Sequence, residues 1–260
     1  MTNMLKLGEF TGLAENYSQN RPNYSNSVLN SLLGYINKDS KLIDFVDVGA
    51  GTGIWTRMVY DKNMKTSTAV EPNDDMREIG IKDSNNSNIK WCKGSGEATG
   101  LENNSYDFLT MASSFHWVNF DTALEEFRRI LRPGGVFTAL WNPRNIKDNP
   151  LLMEVENFLS KLDSNLIRVS SGKSGITEKL GDRLLENGKF EDLIYIEGNH
   201  SINMSVDRYI GAWRSVNDLR VQLGNDNFSK FLNFLQILLK NTSIIECKYL
   251  TRSWSVKKKD

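Results

Sequence analysis

The chain has 260 residues, enough to bury one sizeable α/β core with additions or two small domains. Lys plus Arg and Asp plus Glu balance at 32 each, so no net field gathers a polyanion, and nucleic acid is disfavoured as a partner on charge. Two histidines and two cysteines, Cys92 and Cys247, without metal or disulfide spacing, argue against a zinc site and suit a reducing interior. The first residues lack a signal-peptide apolar region and no run reaches membrane-spanning length, so the expectation is a cytoplasmic protein with no membrane partner.

The segment Phe10 to Tyr24 is irregular and carries Tyr17, Arg21 and Tyr24. A guanidinium fork such as that of Arg21 fits a carboxylate in bidentate fashion. Val28, Leu29, Leu32, Leu33 and Ile36 then recur at helical spacing. Leu42 to Val48 reads as a buried strand running into Gly49-Ala50-Gly51-Thr52-Gly53, with Asp47 just before the first glycine and a helix from Ile54. Glycine at alternate positions removes Cβ atoms that would hold a ligand off the backbone, and the free N–H groups of the following helix face whatever the loop holds. A dinucleotide fingerprint places its third glycine three residues after the second. Here the third follows after two, which disfavours a nicotinamide cofactor.

Thr66 to Val70 reads as the second strand, ending in Glu71-Pro72-Asn73, where an acid is placed to accept from ribose hydroxyls. Asp74 and Asp75 open a helix, and Met76 is a candidate to lie against an adenine ring. Ile89 to Lys93 is the third strand, followed by a small-residue turn in which Ser95, Gly96 and Glu97 are placed to read an adenine edge. Tyr106 to Met111 is the fourth strand and delivers Ala112, Ser113, Phe115, His116 and Trp117 to the ligand crevice. His116 is read either as a general base or as a wall residue that orients the substrate. Asp121 to Leu131 forms a helix that Arg132-Pro133-Gly134-Gly135 stops, and Val136 to Trp141 is the fifth strand, leading to Asn142 and Arg144.

Beyond this, Leu151 to Leu162 reads as a helix and Lys161 to Lys173 as an irregular polar stretch. Phe190 to Gly198 reads as a strand, Ser205 to Leu223 as a helix carrying Tyr209 and Trp213, Phe228 to Leu239 as an apolar helix, and Ser243 to Val256 as the last strand. An antiparallel pair closing the sheet, with two helices inserted between its strands, makes a cap over the active site.

The glycine loop with Asp47, the acid Glu71, the string Gly94 to Gly100, Phe115-His116-Trp117 and Leu131-Arg132-Pro133-Gly134-Gly135 resemble the class I S-adenosylmethionine-dependent methyltransferases. Within them the resemblance is to the trans-aconitate and ubiquinone C-methyltransferase-like (type 11) subgroup, over residues 10 to 145. One departure is Ser95, where many relatives carry Asp. The resemblance implies an α/β fold: a doubly wound, mostly parallel seven-stranded sheet with the last strand antiparallel, an N-terminal lid and a late helical cap. It implies a single domain, with the lid and first helix in 1–40, the cofactor core in 41–145, and the rest of the sheet with a cap at about 200–242 in 146–260.

The cofactor expected is S-adenosyl-L-methionine, with S-adenosyl-L-homocysteine as product and no metal. Its candidate ligands are Tyr17, Arg21, Asp47, Gly49, Ala50, Gly51, Gly53, Glu71, Pro72, Met76, Ser95, Gly96, Glu97, Ala112 and Ser113. Tyr24, Phe115, His116, Trp117, Asn142, Tyr209 and Trp213 are the substrate-side candidates, with His116 and Trp117 the catalytic ones. The acceptor expected is a small molecule methylated on oxygen, a carboxylate or hydroxyl. Carbon or nitrogen methylation, or a non-catalytic regulatory protein that binds the same cofactor, are the alternatives. The protein is expected to be a monomer or homodimer.

Overall fold

A computed structural model describes residues 10–146, 149–167, 175–186 and 188–260. Seven strands form one sheet: β1 (Asp44–Val48), β2 (Thr66–Val70), β3 (Lys90–Cys92), β4 (Tyr106–Ala112), β5 (Leu131–Trp141), β6 (Phe190–Ser205) and β7 (Ile244–Lys258). Their order is β3-β2-β1-β4-β5-β7-β6, and β7 runs antiparallel to both of its neighbours. All five residues of β1 are buried, as expected of a central parallel strand covered on both faces.

Helices α2 (Asn26–Ile36) and α3 (Ile54–Tyr60) carry one face of the sheet, where Leu29, Leu32, Phe45, Trp55 and Phe108 pack together. On the other face α5 (Phe120–Ile130) presents Leu124, Phe127 and Ile130 to Phe115 and Phe137. Local chemistry sets the helix starts: Asn73 caps α4 (Asp74–Asp83) by accepting from Met76 N at 3.0 Å, and Asn119 caps α5 by accepting from Thr122 N at 3.1 Å. Asn149 does the same for α6 (Pro150–Leu162), whose proline occupies a first-turn position that needs no N–H donor.

Three expectations change. The Leu131-Arg132-Pro133-Gly134-Gly135 run belongs to β5, because Leu131 pairs with Tyr106 while Val136 pairs with Phe108, and the extra residues bulge out of the ladder. β6 continues past Gly198 to Ser205, since its pairing with β7 runs unbroken to Ser205 opposite Ile244. Gly198 marks close packing, for a Cβ there would lie 2.9 Å from Ser27 and Val28 of α2. The third concerns the cap, where the helical run from Ser205 divides into α8 (Val206–Arg214) and α9 (Asn217–Leu238), with Ser215 and Val216 at the corner. The cap helices therefore occupy 206–238, with α9 broken at Gly224 (φ +69°) between the two expected helical runs, and residues 200–205 are strand. Two helices outside the expected pattern complete the chain, α1 (Ala14–Asn20) and α7 (Leu180–Glu186). Part of the stretch Lys161 to Lys173 lies outside the described residues; before it, α6 runs to Leu162.

Trp213, Phe231, Leu235 and Leu239 join Leu152 and Val155 of α6 in a third apolar cluster beneath the cap. Among the described residues no helix is long and apolar enough to cross a membrane.

Candidate active site

The strand order reverses between β1 and β4, and in open α/β sheets the crevice outside the carboxyl ends at that point is where ligands bind. A cavity of about 250 Å³ opens there. The glycine loop forms its floor. Gly49 has φ +66°, and a Cβ on it would lie 2.8 Å from Ser114, which follows β4. Gly51, at φ +57°, instead faces open space, with Met76 the nearest atom at 3.8 Å. The first glycine lets the two strand ends come together, and the second leaves room for a ligand against the backbone.

Asp47 lies beneath this floor. It is fully buried, accepting from Thr56 Oγ1 at 2.6 Å and Thr110 Oγ1 at 2.8 Å, and Thr110 Oγ1 in turn accepts from Trp55 Nε1 at 3.0 Å. Burial pushes its carboxyl up to about 7, with Glu71 adding repulsion. It pins the loop from behind and does not line the cavity, nor does Gly53.

Glu71 does line it. Oε2 accepts from Gly51 N at 2.7 Å and Oε1 from Asn73 N at 2.9 Å, so the acid is fixed by the loop it serves. Burial raises its pKa. Pro72 and Met76 continue this wall, and Ser95, Gly96 and Glu97 form the next. Glu97 Oε1 accepts from Asn119 N at 2.7 Å, which ties the turn after β3 to the start of α5.

On the β4 side Ala112 and Ser113 reach the cavity. Ser113 holds φ +55° as the chain leaves the strand, and its Oγ accepts from the Tyr24 hydroxyl at 2.9 Å. Burial pushes the Tyr24 phenol pKa up, so it stays a donor. Trp117 lines the cavity and meets Phe10 edge-on, their ring centroids 6.4 Å apart.

Tyr17 and Arg21 close over the crevice from the N-terminal side. Arg21 stacks on Tyr17 at 4.8 Å, and donates from Nε to Ser215 Oγ at 2.8 Å and from Nη2 to Ser215 O at 3.0 Å. Two of its three nitrogens are thus committed to the cap, not held out to a carboxylate. Asn142 lines the cavity but spends its amide on Asn23 O and Thr251 Oγ1.

Four readings are corrected by this geometry. Phe115 is 1% exposed and packs among Phe120, Phe127 and Phe137, so it is core and not substrate wall. Tyr209 and Trp213 are buried beneath the cap and do not line this cavity. His116 is also outside the lining. Its Nδ1 accepts from Trp141 Nε1 at 3.1 Å, which assigns the ring hydrogen to Nε2, and Nε2 is buried without a partner. Burial lowers its pKa to about 4, so the ring is a neutral donor, its lone pair already used, and a general-base role does not fit.

Residues outside the sequence reading also line the cavity: Phe10, Thr52, Ile54, Trp55, Asn73, Met111, Ser114, Val118, Asn217 and Asp218. The last two open α9 and reach the crevice because α8 and α9 break at Ser215, a corner hidden inside one long helical pattern.

A family model described as a methyltransferase domain matches residues 46–139, the stretch that contains the loop, Glu71, the adenine turn and the segment after β4. That stretch is similar to methyltransferase domains. An uncharacterised methyltransferase-like protein of Schizosaccharomyces pombe is 29% identical over 56% of each chain. This chain thus spans only about half the length of the curated relatives first matched. A second uncharacterised methyltransferase of that yeast is 25% identical over 93% of this chain and 94% of its own. Among solved structures, a protein of Anaeromyxobacter dehalogenans described as a type II methyltransferase shares the fold, with a TM-score of 0.62 at 18% identity over 90% of this chain and 97% of its own.

Proposed function

We propose that the protein is an enzyme that moves a methyl group from S-adenosyl-L-methionine to an oxygen of a small-molecule acceptor, leaving S-adenosyl-L-homocysteine. The observation that carries this reading is Glu71, held by the N–H groups of Gly51 and Asn73 over the open side of the glycine loop. Each carboxylate oxygen has spent one lone pair and keeps another for a ribose hydroxyl. The lining carries Glu71, Glu97 and Asp218 against Arg21, an acidic excess that suits a cationic sulfonium and repels a pyrophosphate.

Bound there, the cofactor supplies a methyl group already activated by its sulfonium sulfur. The chain's own work is to align and to exclude water. Phe10, Tyr17 and Trp117 roof the crevice, while Tyr24 holds Ser113 in place beside the loop. A carboxylate acceptor needs no base, which accords with a His116 whose lone pair is occupied.

Calorimetry with S-adenosylmethionine and with NAD tests the donor. The expectation is binding of the first alone, abolished in Gly51→Val, because φ +57° and the ligand face both reject a branched side chain. A preference for NAD, or labelled methyl transfer that survives Gly51→Val, would overturn the reading.

A further inference from the structure

The cavity over the glycine loop has two sides, and the cofactor reading uses one of them. Glu71 ends β2 and Ser95 to Glu97 follow β3, so the ribose and adenine addresses lie on the β3-β2-β1 side of the switch point. The opposite side of the lining is built from Ala112 and Ser113 at the end of β4, Asn142 after β5, and Asn217 and Asp218 of the cap. Asp218 carries the carboxylate of that side. It acts electrostatically on His116, which follows β4, and on Arg21, whose other charged or polar neighbours include Arg144 after β5 and Tyr249 of β7. These neighbours place it across the crevice from Glu71.

Asp218 is 1% exposed in the first turn of α9, and it reaches the crevice because the chain turns at Ser215 and Val216 between α8 and α9. A buried acid on a cavity wall carries a desolvation cost that hydrogen-bond donors must offset. A carboxylate accepts at about four positions and donates at none. Two donors of the same wall are committed elsewhere: Arg21 gives two nitrogens to Ser215, and Asn142 gives its amide hydrogen to Asn23 O. Charge decides among the donors that a small molecule can bring. The Arg21 guanidinium lines the same cavity, so its positive charge opposes that of Asp218 and leaves little net field for an ammonium. A carboxylate beside Asp218 meets a like charge and has no hydrogen to give. A hydroxyl gives the hydrogen and brings no charge.

We infer that Asp218 is a specificity-determining residue, which accepts a hydrogen bond from a hydroxyl of the methyl acceptor and turns away acceptors that present a carboxylate there. The inference rests on the methyltransferase reading and narrows its oxygen acceptor to a neutral hydroxyl compound. Tyr17, Pro22, Tyr24 and Trp117 line the crevice, so the body that carries the hydroxyl is apolar. Asp218 lies outside residues 46–139, the stretch that matches the methyltransferase domain. The cap therefore reads the acceptor, and the matched stretch holds the donor.

The test uses the whole protein saturated with S-adenosylhomocysteine, which has no sulfonium charge for an acid to answer. It is titrated by calorimetry with phenols and benzylic alcohols, and with the carboxylate, amine and methyl ether of the same skeletons. The hydroxyl member of each set is expected to bind about tenfold tighter than its carboxylate. Asp218→Asn keeps the shape and removes the charge. It should weaken hydroxyl binding about fivefold and tighten carboxylate binding, with S-adenosylhomocysteine affinity unchanged. Hydroxyl compounds that fail to bind, or bind no better than their carboxylates, amines or ethers, would overturn the inference on the parent protein alone, whether or not the variant folds. An Asp218→Asn protein that folds and keeps the parent's order of preference would also overturn it. So would a folded variant that loses S-adenosylhomocysteine affinity as far as hydroxyl affinity, since the acid would then serve the cofactor's ammonium. Failure of the parent to bind S-adenosylhomocysteine is a separate result, which removes the donor reading itself.

Discussion

Asp47 and His116 are both buried groups next to the ligand crevice, and burial shifts them in opposite directions. The Asp47 carboxyl rises from 3.8 to about 7, so between those values the folded chain keeps a proton that the unfolded chain gives up. The stability tied to that proton is complete below pH 3.8 and is lost as pH rises through about 7. His116 falls from 6.5 to about 4, so its contribution is complete above 6.5 and is lost as pH falls through about 4. The two trends oppose each other across the range they share. Asp47→Asn removes the first and keeps the second. The difference in melting temperature between Asp47→Asn and the parent should therefore move steadily in favour of the variant as pH rises from about 4 to 7. Thermal melts across that range check it, and a difference that stays constant would mean that Asp47 titrates as an exposed acid does.

At the scale of elements, α1 and α8 meet over the crevice, and their junction is polar and specific. Asn16 Nδ2 donates to Gly211 O at 2.8 Å, and a Cβ on Gly211 would lie 2.5 Å from Asn20, so the two helices touch closely. Arg21, at the end of α1, reaches past them to Ser215 with two bonds. Ser215→Ala leaves Arg21 Nε without its acceptor, a loss of about 1–3 kcal/mol. Hydrogen exchange should quicken over residues 14–20, and cofactor affinity should fall. Exchange that does not change would show that the junction is held by packing alone. These contacts also explain where the sequence was legible. The loop, Glu71 and the turn after β3 are contiguous motifs whose spacing to a strand end already determines where they point. Arg21 reads locally as a free guanidinium because its partner is 194 positions away. Asn217 and Asp218 reach the crevice only once α8 and α9 have docked. The Pro133-Gly134 pair reads as a turn because nothing local shows the ladder with β4 that makes it a bulge.

Over the whole molecule, β6 and β7 join cap and sheet in one cooperative unit. They bracket α8 and α9 in sequence, pair along fourteen positions, and carry residues into two clusters: Val256 and Phe190 beside the sheet, Cys247, Tyr249 and Met204 beneath the cap. Cap packing therefore props the strands that complete the sheet. Phe231 is fully buried in the cap cluster and meets Trp213 edge-on, with ring centroids 5.0 Å apart. Phe231→Ala should cost about 3–5 kcal/mol, since the cavity left among helices cannot fully close. For a chain of this size each kcal/mol lowers the melting temperature by roughly 2–4 °C. The expected outcome is one transition, shifted as a whole and coincident by far-ultraviolet circular dichroism and tryptophan fluorescence. Two separated transitions, the earlier one carrying part of the helical signal, would mean that the cap melts off a sheet that stands without it.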